Sequence, residues 1–102
     1  MTMKDKNKKV VDDFGGVEAL VELFGAQSSL APVIRCIDAL QPIPKEIMLA
    51  AKADFPAIQW YFIYAGAAEL SLLHDEGEKW SALAGILEDY RLMLARRERV
   101  PA

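Results

Sequence analysis

The sequence predicts an all-α protein, a compact bundle of about five to six helices ending in a long C-terminal helical hairpin. Three observations carry this. Between the breaks, apolar residues recur at spacings of three and four. Sustained period-two alternation, the mark of half-buried strands, is absent. Gly15-Gly16, Gly25, Pro42 with Pro44, Pro56 and Gly77 cut the chain into short helical pieces. With 102 residues and 53% hydrophobic content, residues 1–102 fit one domain with one core. So small a core makes homodimerisation an expected further source of buried surface.

The elements follow in order. Residues 1–8 are expected to form a disordered basic tail. A short helix follows over Lys8 to Phe14, with Val10, Val11 and Phe14 on one side. Gly15-Gly16 breaks it, and Val17, Leu20, Val21 and Phe24 give the next apolar face, with Gly25 placed as a C-terminal cap. Ser28 or Ser29 can cap a third helix, whose first turn tolerates Pro32 and whose stripe is Leu30, Val33, Ile34, Ile37 and Leu40. Pro44 suits the first position of a fourth helix running to about Ala53, with Ile47, Met48 and Ala51 inward.

Asp54 is placed to cap a helix from Phe55 to about His74, in which Gln59 is the one clearly polar residue before Glu69. A helix apolar all round is buried or spans a membrane. The fourteen residues Phe55–Ala68 reach only about 21 Å, short of a hydrocarbon core of roughly 30 Å. The segment is therefore expected to be the central core helix, or a core helix with one face in a dimer. Asp75 and Glu78 have capping-box spacing for the last helix. Its stripe is Trp80, Leu83, Leu87, Tyr90 and Leu94, with Ile86 and Met93 as a second row and Arg96, Arg97 and Arg99 at the C-terminal end, where the helix dipole favours cations. Packing of these last two helices gives the hairpin.

Charge is unevenly spread. Residues 1–9 and 91–102 carry +3 each, and residues 10–90 carry −9. The single cysteine, Cys36, forms no internal disulfide and suits a reducing cytoplasm. The charged first nine residues hold no apolar stretch of a signal peptide, so a cytoplasmic protein is expected.

The residues give no catalytic, cofactor or metal signature, and an enzyme is not expected. His74 stands beside Asp75 and Glu76, but sequence neighbours do not converge on one ion unaided. Cys36 reads as a small buried side chain. Asp12-Asp13, Asp75-Glu76 and Glu88-Asp89 diverge by about 100° on a helix, a poor geometry for paired acid–base work. Gly15-Gly16 lacks the preceding strand and the spacing of phosphate loops.

The unusual feature is the run Trp60-Tyr61-Phe62 with Tyr64. These rings point nearly all round a helix, so one or two should reach the surface. Trp60, Tyr61, Tyr64, Trp80 and Tyr90 are the expected interface anchors.

The string Phe14-Gly15-Gly16-Val17-Glu18-Ala19-Leu20-Val21-Glu22-Leu23-Phe24-Gly25-Ala26-Gln27-Ser28-Ser29-Leu30, with Ile43-Pro44 before a further helix, resembles Cro-type phage helix-turn-helix repressors across residues 10–54. The resemblance implies that Gln27, Ser28 and Ser29 open a recognition helix meeting base edges, with Arg35 placed to contact the backbone. Residues 17–54 hold three basic and five acidic residues, so little phosphate neutralisation is on offer there.

Two expectations result. The favoured one is a small phage or bacterial regulatory or inhibitory protein that works by binding another protein, of the anti-regulator, immunity or anti-defence kind. A partner with a basic surface would suit the acidic body. The alternative is a Cro-like DNA-binding regulator.

Overall fold

The computed structural model describes residues 2–69 and 76–99, with side chains described over 2, 4–66 and 76–96. Among the described residues there are six helices and no strand: α1 Met3–Phe14, α2 Val17–Phe24, α3 Leu30–Asp38, α4 Lys45–Asp54, α5 Tyr61–Glu69 and α6 Glu76–Arg99. The all-α bundle is as the periodicity predicts.

Helix α1 starts at Met3, which corrects the expected tail over residues 1–8. The cause is local. The Asp5 N–H donates to Thr2 Oγ1 at 3.2 Å and the Thr2 N–H donates to Asp5 Oδ2 at 3.4 Å, a reciprocal capping box. Lys8 pairs with Asp12 and Lys9 with Asp13, each at 2.7 Å and four residues apart. These bonds hold the Lys8 and Lys9 ammonium groups above the usual lysine range, through the hydrogen bond and the charge of each carboxylate. Val11 is buried, and among the described residues α1 makes the most extensive helix–helix contact, along α6.

Gly15 and Gly16 turn the chain at φ 131° and 90°, a backbone that L side chains avoid, and a Cβ on Gly15 would crowd Ala19. In α2, Leu20 and Val21 are buried. In α3, Leu30, Ala31, Val33, Ile34 and Ile37 are all buried. Leu40, expected on that stripe, lies beyond the helix at φ 57°. There the Gln41 N–H donates to the Cys36 carbonyl at 2.9 Å and the Leu40 N–H to that of Ile37 at 3.1 Å, a Schellman stop with leucine where glycine is usual. Ser29 occupies the N-cap position of α3 without a side-chain cap bond. Pro44 is the N-cap of α4, and Ala51 is buried with Ile47 and Met48 half-buried.

Asp54 does not cap a helix over residues 55–74; it belongs to the last turn of α4, and the chain turns through residues 55–60 before α5. Proline disfavours helical backbone in the residue before it, here Phe55. The Phe55 ring is edge-on to Phe24 at 5.6 Å, and Phe24 is edge-on to Tyr90 of α6 at 5.2 Å, which fixes the corner. The Gln59 N–H donates to Asp89 Oδ2 of α6 at 3.0 Å, and Gln59 Nε2 donates to the Pro56 carbonyl at 2.9 Å.

Helices α5 and α6 pack together as the expected hairpin, running antiparallel: Gln59 meets Asp89 at one end, and Tyr64 lies near Glu78 toward the other. The central helix is α6 rather than the expected Phe55–Ala68 segment. Trp80, Ala82, Leu83, Ala84, Ile86 and Leu87 are all buried between α1, α3 and α5. The stripe is not buried to its end. Tyr90 is half-buried, and Arg91, Leu92, Leu94, Ala95 and Arg96 are exposed on both sides of the helix. The C-terminal turns of α6 thus run past the bundle. His74, the expected cap Asp75, and Pro101 lie outside the described residues, as do the side chains of Arg97 and Arg99. No described helix is long and apolar enough to cross a membrane.

Candidate functional site

The turn before α5 shapes the most distinctive surface. Ile58 is fully buried and anchors the turn. Two residues on, Trp60 lies across α6 at Gly85, where any Cβ would be driven into the indole. A glycine inside a helix weakens it; here it makes a notch that seats a large ring. Trp60 remains 38% exposed, Ile63 one turn later 47%, and Leu92 on α6 47%. Val10 of α1 is 37% exposed.

Three clefts join these residues into one surface. One of about 300 Å³ is lined by Gln59, Trp60, Ile63 and Asp89. A second of about 320 Å³ runs between α1 and α6, with Val10, Trp60, Gly85, Glu88 and Arg91 along it. A third of about 350 Å³ follows the end of α6, past Pro56, Asp89, Leu92 and Arg96. The result is a ridge, Trp60 to Leu92, with apolar side chains at its crest and both signs of charge at its sides.

Of the expected interface anchors, Trp60 reaches the surface. Tyr61 and Tyr64 are fully buried in the chain's own core, and Trp80 is nearly so, which corrects their assignment as surface anchors. Tyr61, Tyr64 and Ala65 share one face of α5 at helical spacing and that face packs on α6 and α3, so Ile63 is turned out. Trp80 lies under Lys79 and Lys8, whose Nζ atoms are 4.8 and 5.5 Å from its ring centre, and Lys79 pairs with Asp38 at 3.1 Å. Tyr90 is half-buried against Phe24. Val10, Ile63 and Leu92 were missed. Leu92 lies off the Trp80–Leu94 stripe but in an i, i+4 row with Glu88 and Arg96, a signal that was readable.

The residues that the helix-turn-helix resemblance singles out are elsewhere. Gln27 is exposed in the α2–α3 turn. Ser28 and Ser29 bury their hydroxyls with no hydrogen-bond partner among the described residues. Arg35 Nη1 meets Glu18 Oε1 at 3.3 Å, and Asp38 is exposed on the same helix. The outward side of α3 is thus charge-balanced.

Among the described residues no three His, Cys, Asp or Glu side chains are grouped to hold a metal ion. Burial pushes the Cys36 thiol up, away from the reactive thiolate. Burial also raises Tyr61, and it raises Tyr64 to about 12, with Cys36 and Glu78 adding to the effect on Tyr64. Cys36 and Glu78 are therefore neighbours of the buried Tyr64, and burial favours the neutral thiol of Cys36 and the neutral phenol of Tyr64 over a nucleophilic anion. Comparison with protein-family models, with curated proteins and with solved structures gave no match to this chain.

Proposed function

We propose that this chain is a small, non-catalytic regulatory or inhibitory protein that acts by binding another protein, and that it self-associates as a homodimer. The observation that carries the reading is the ridge. A chain this small has one core, and it buries Tyr61, Tyr64 and Trp80 there while leaving Trp60, Ile63 and Leu92 outside, on adjoining clefts that share Gln59 and Asp89. An aromatic seated on a rigid helix and surrounded by charged residues is the usual make-up of a protein-docking surface. Helix-turn-helix DNA binding has no comparable support: Arg35 is engaged by Glu18, and Asp38 lies on the same face.

The test is photocrosslinking in the native host, with a photoreactive residue at Ile63 and, as a control, at Leu49, which is 52% exposed on α4 outside the three clefts. Position 63 is expected to yield an adduct whose mass is not a multiple of the 11.3 kDa chain. Position 49 is expected to yield none. The same adducts at both positions, or none at 63, would overturn the reading.

A further inference from the structure

Glu88, Leu92 and Arg96 lie four residues apart on α6 and form one row along it, each about 6 Å from the next. All three are exposed, and neither Glu88 nor Arg96 makes an ion pair within the chain among the described residues. The row therefore carries an acid, an apolar centre and a base in order, from the edge of the cleft beside Val10 and Trp60 out onto the part of α6 that runs past the bundle. Ala95, exposed beside Leu92, adds no bulk that would keep another helix away.

This order is complementary to itself when reversed. A second α6 laid antiparallel, with its two-fold axis at Leu92, sets Glu88 opposite Arg96 of the other copy and Arg96 opposite Glu88. Leu92 then meets its own counterpart on the axis. A parallel copy would instead set like charge against like. An isologous contact has this self-matching property, in which each surface meets its own image. In the antiparallel register residue 99 of one copy falls at the level of Gly85 of the other, so the last turn of one α6 runs toward Trp60 on its neighbour.

We infer that the occupant of the Leu92 ridge is a second copy of this chain, bound through an antiparallel α6–α6 pair held in register by two Glu88–Arg96 contacts. The inference rests on reading the ridge as a protein-docking surface, and it adds a consequence. The second copy and any other partner of the ridge compete, so self-association sets how much binding surface is free.

The experiment measures the dimer dissociation constant by sedimentation equilibrium for the wild type, Glu88→Arg, Arg96→Glu, their equimolar mixture and the double variant. Each single variant is expected to weaken self-association by about tenfold or more, since both symmetry-related contacts become repulsive. The mixture restores association because the arginine introduced at position 88 of one chain meets the glutamate introduced at position 96 of the other. The double variant restores it by the same exchange. Leu92→Cys in a Cys36→Ser background is expected to form a disulfide-linked dimer on mild oxidation, and Leu94→Cys, on the opposite side of α6, is not. A wild type monomeric at every concentration, single variants that dimerise undiminished, or a mixture and double variant that stay apart would overturn the inference. Equal crosslinking at 94 would do the same. A monomeric wild type with foreign adducts at position 63 sinks the dimer and leaves the docking surface standing. A charge-swappable dimer without foreign adducts does the reverse.

Discussion

The two halves of α6 belong to one continuous helix but meet opposite surroundings. From Trp80 to Leu87 the chain is packed on almost every side, so that Ala82, Leu83, Ala84, Ile86 and Leu87 all lie inside the bundle. From Glu88 to Arg96 it loses its neighbours turn by turn, and Leu92 and Leu94 face solvent on opposite sides. Leucines are therefore no guide by themselves. Leu83 and Leu87 contribute to folding, and Leu92 and Leu94 are left over from it. What separates the halves is the set of helices alongside, with Tyr90 against Phe24 close to where the packing ends. The first half is a core and the second is a surface carried by that core.

The sharpest way to break this comparison is to truncate one leucine in each half. Leu83→Ala removes a fully buried side chain from between packed helices and is expected to cost about 2–5 kcal/mol. Leu92→Ala removes a side chain that is already half in water and is expected to stay within about 0.5 kcal/mol of the wild type, measured with the chain monomeric. Urea unfolding followed by circular dichroism reads both. Similar losses at the two positions would mean that the ridge is part of the folding core.

Much of the bundle was legible in the sequence, and the illegible parts have physical reasons. The α2 and α3 stripes, the Pro44 start and the Gly15-Gly16 break depend on local spacing and backbone chemistry, which sequence shows directly. The start of α5 does not. Phe55 to Ala68 reads as continuous apolar helix, and its break at residues 55–60 is held by partners far along the chain, Tyr90 reached through Phe24, and Asp89. Starting α5 at Tyr61 leaves Trp60 outside the helix, and which face of α5 turns inward is set by its packing on α6 and α3, which local spacing does not show, so the anchors Tyr61 and Tyr64 were misplaced. The α1 start was missed for the opposite reason. Thr2 and Asp5 are a readable capping box, obscured by the lysines around them. The ridge was half legible, through Trp60 and the 88–92–96 row, but its continuity comes from tertiary packing alone.

A second test concerns the surroundings of the buried half. Tyr64 packs in the core near Cys36 and Glu78, and burial holds its phenol up at about 12 against an ordinary 10.0. The folded state thus binds the proton more tightly than the unfolded state does. The corresponding stability is fully present below about pH 10 and is lost as pH rises from there through about 12. At the top of that window the loss is roughly 2–3 kcal/mol. Denaturant midpoints taken from pH 9 to 12 should fall more steeply for the wild type than for Tyr64→Phe. Parallel curves would show that Tyr64 ionises without resistance and that this part of the core is open to water.

The smallest effect tests the seam between the halves, at Gly85. In an ordinary mid-helix position Gly→Ala stabilises by about 0.5–1 kcal/mol, because alanine favours the helix. Gly85 is not ordinary, since its missing side chain is the space occupied by Trp60. Gly85→Ala is therefore expected to destabilise, by about 1–3 kcal/mol if the indole stays, or by less if the ring swings out and gives up the notch. In a Trp60→Gly background all three side-chain atoms that crowd position 85 are gone, the Trp60 Cβ among them, and the same substitution should revert to its intrinsic sign and stabilise. The reversal of sign across this double-mutant cycle is the measurement, read from unfolding midpoints. It depends on one steric contact and cancels any general effect of either residue. If Gly85→Ala stabilises in both backgrounds, Trp60 is not seated on α6, and the ridge loses the ring that begins it.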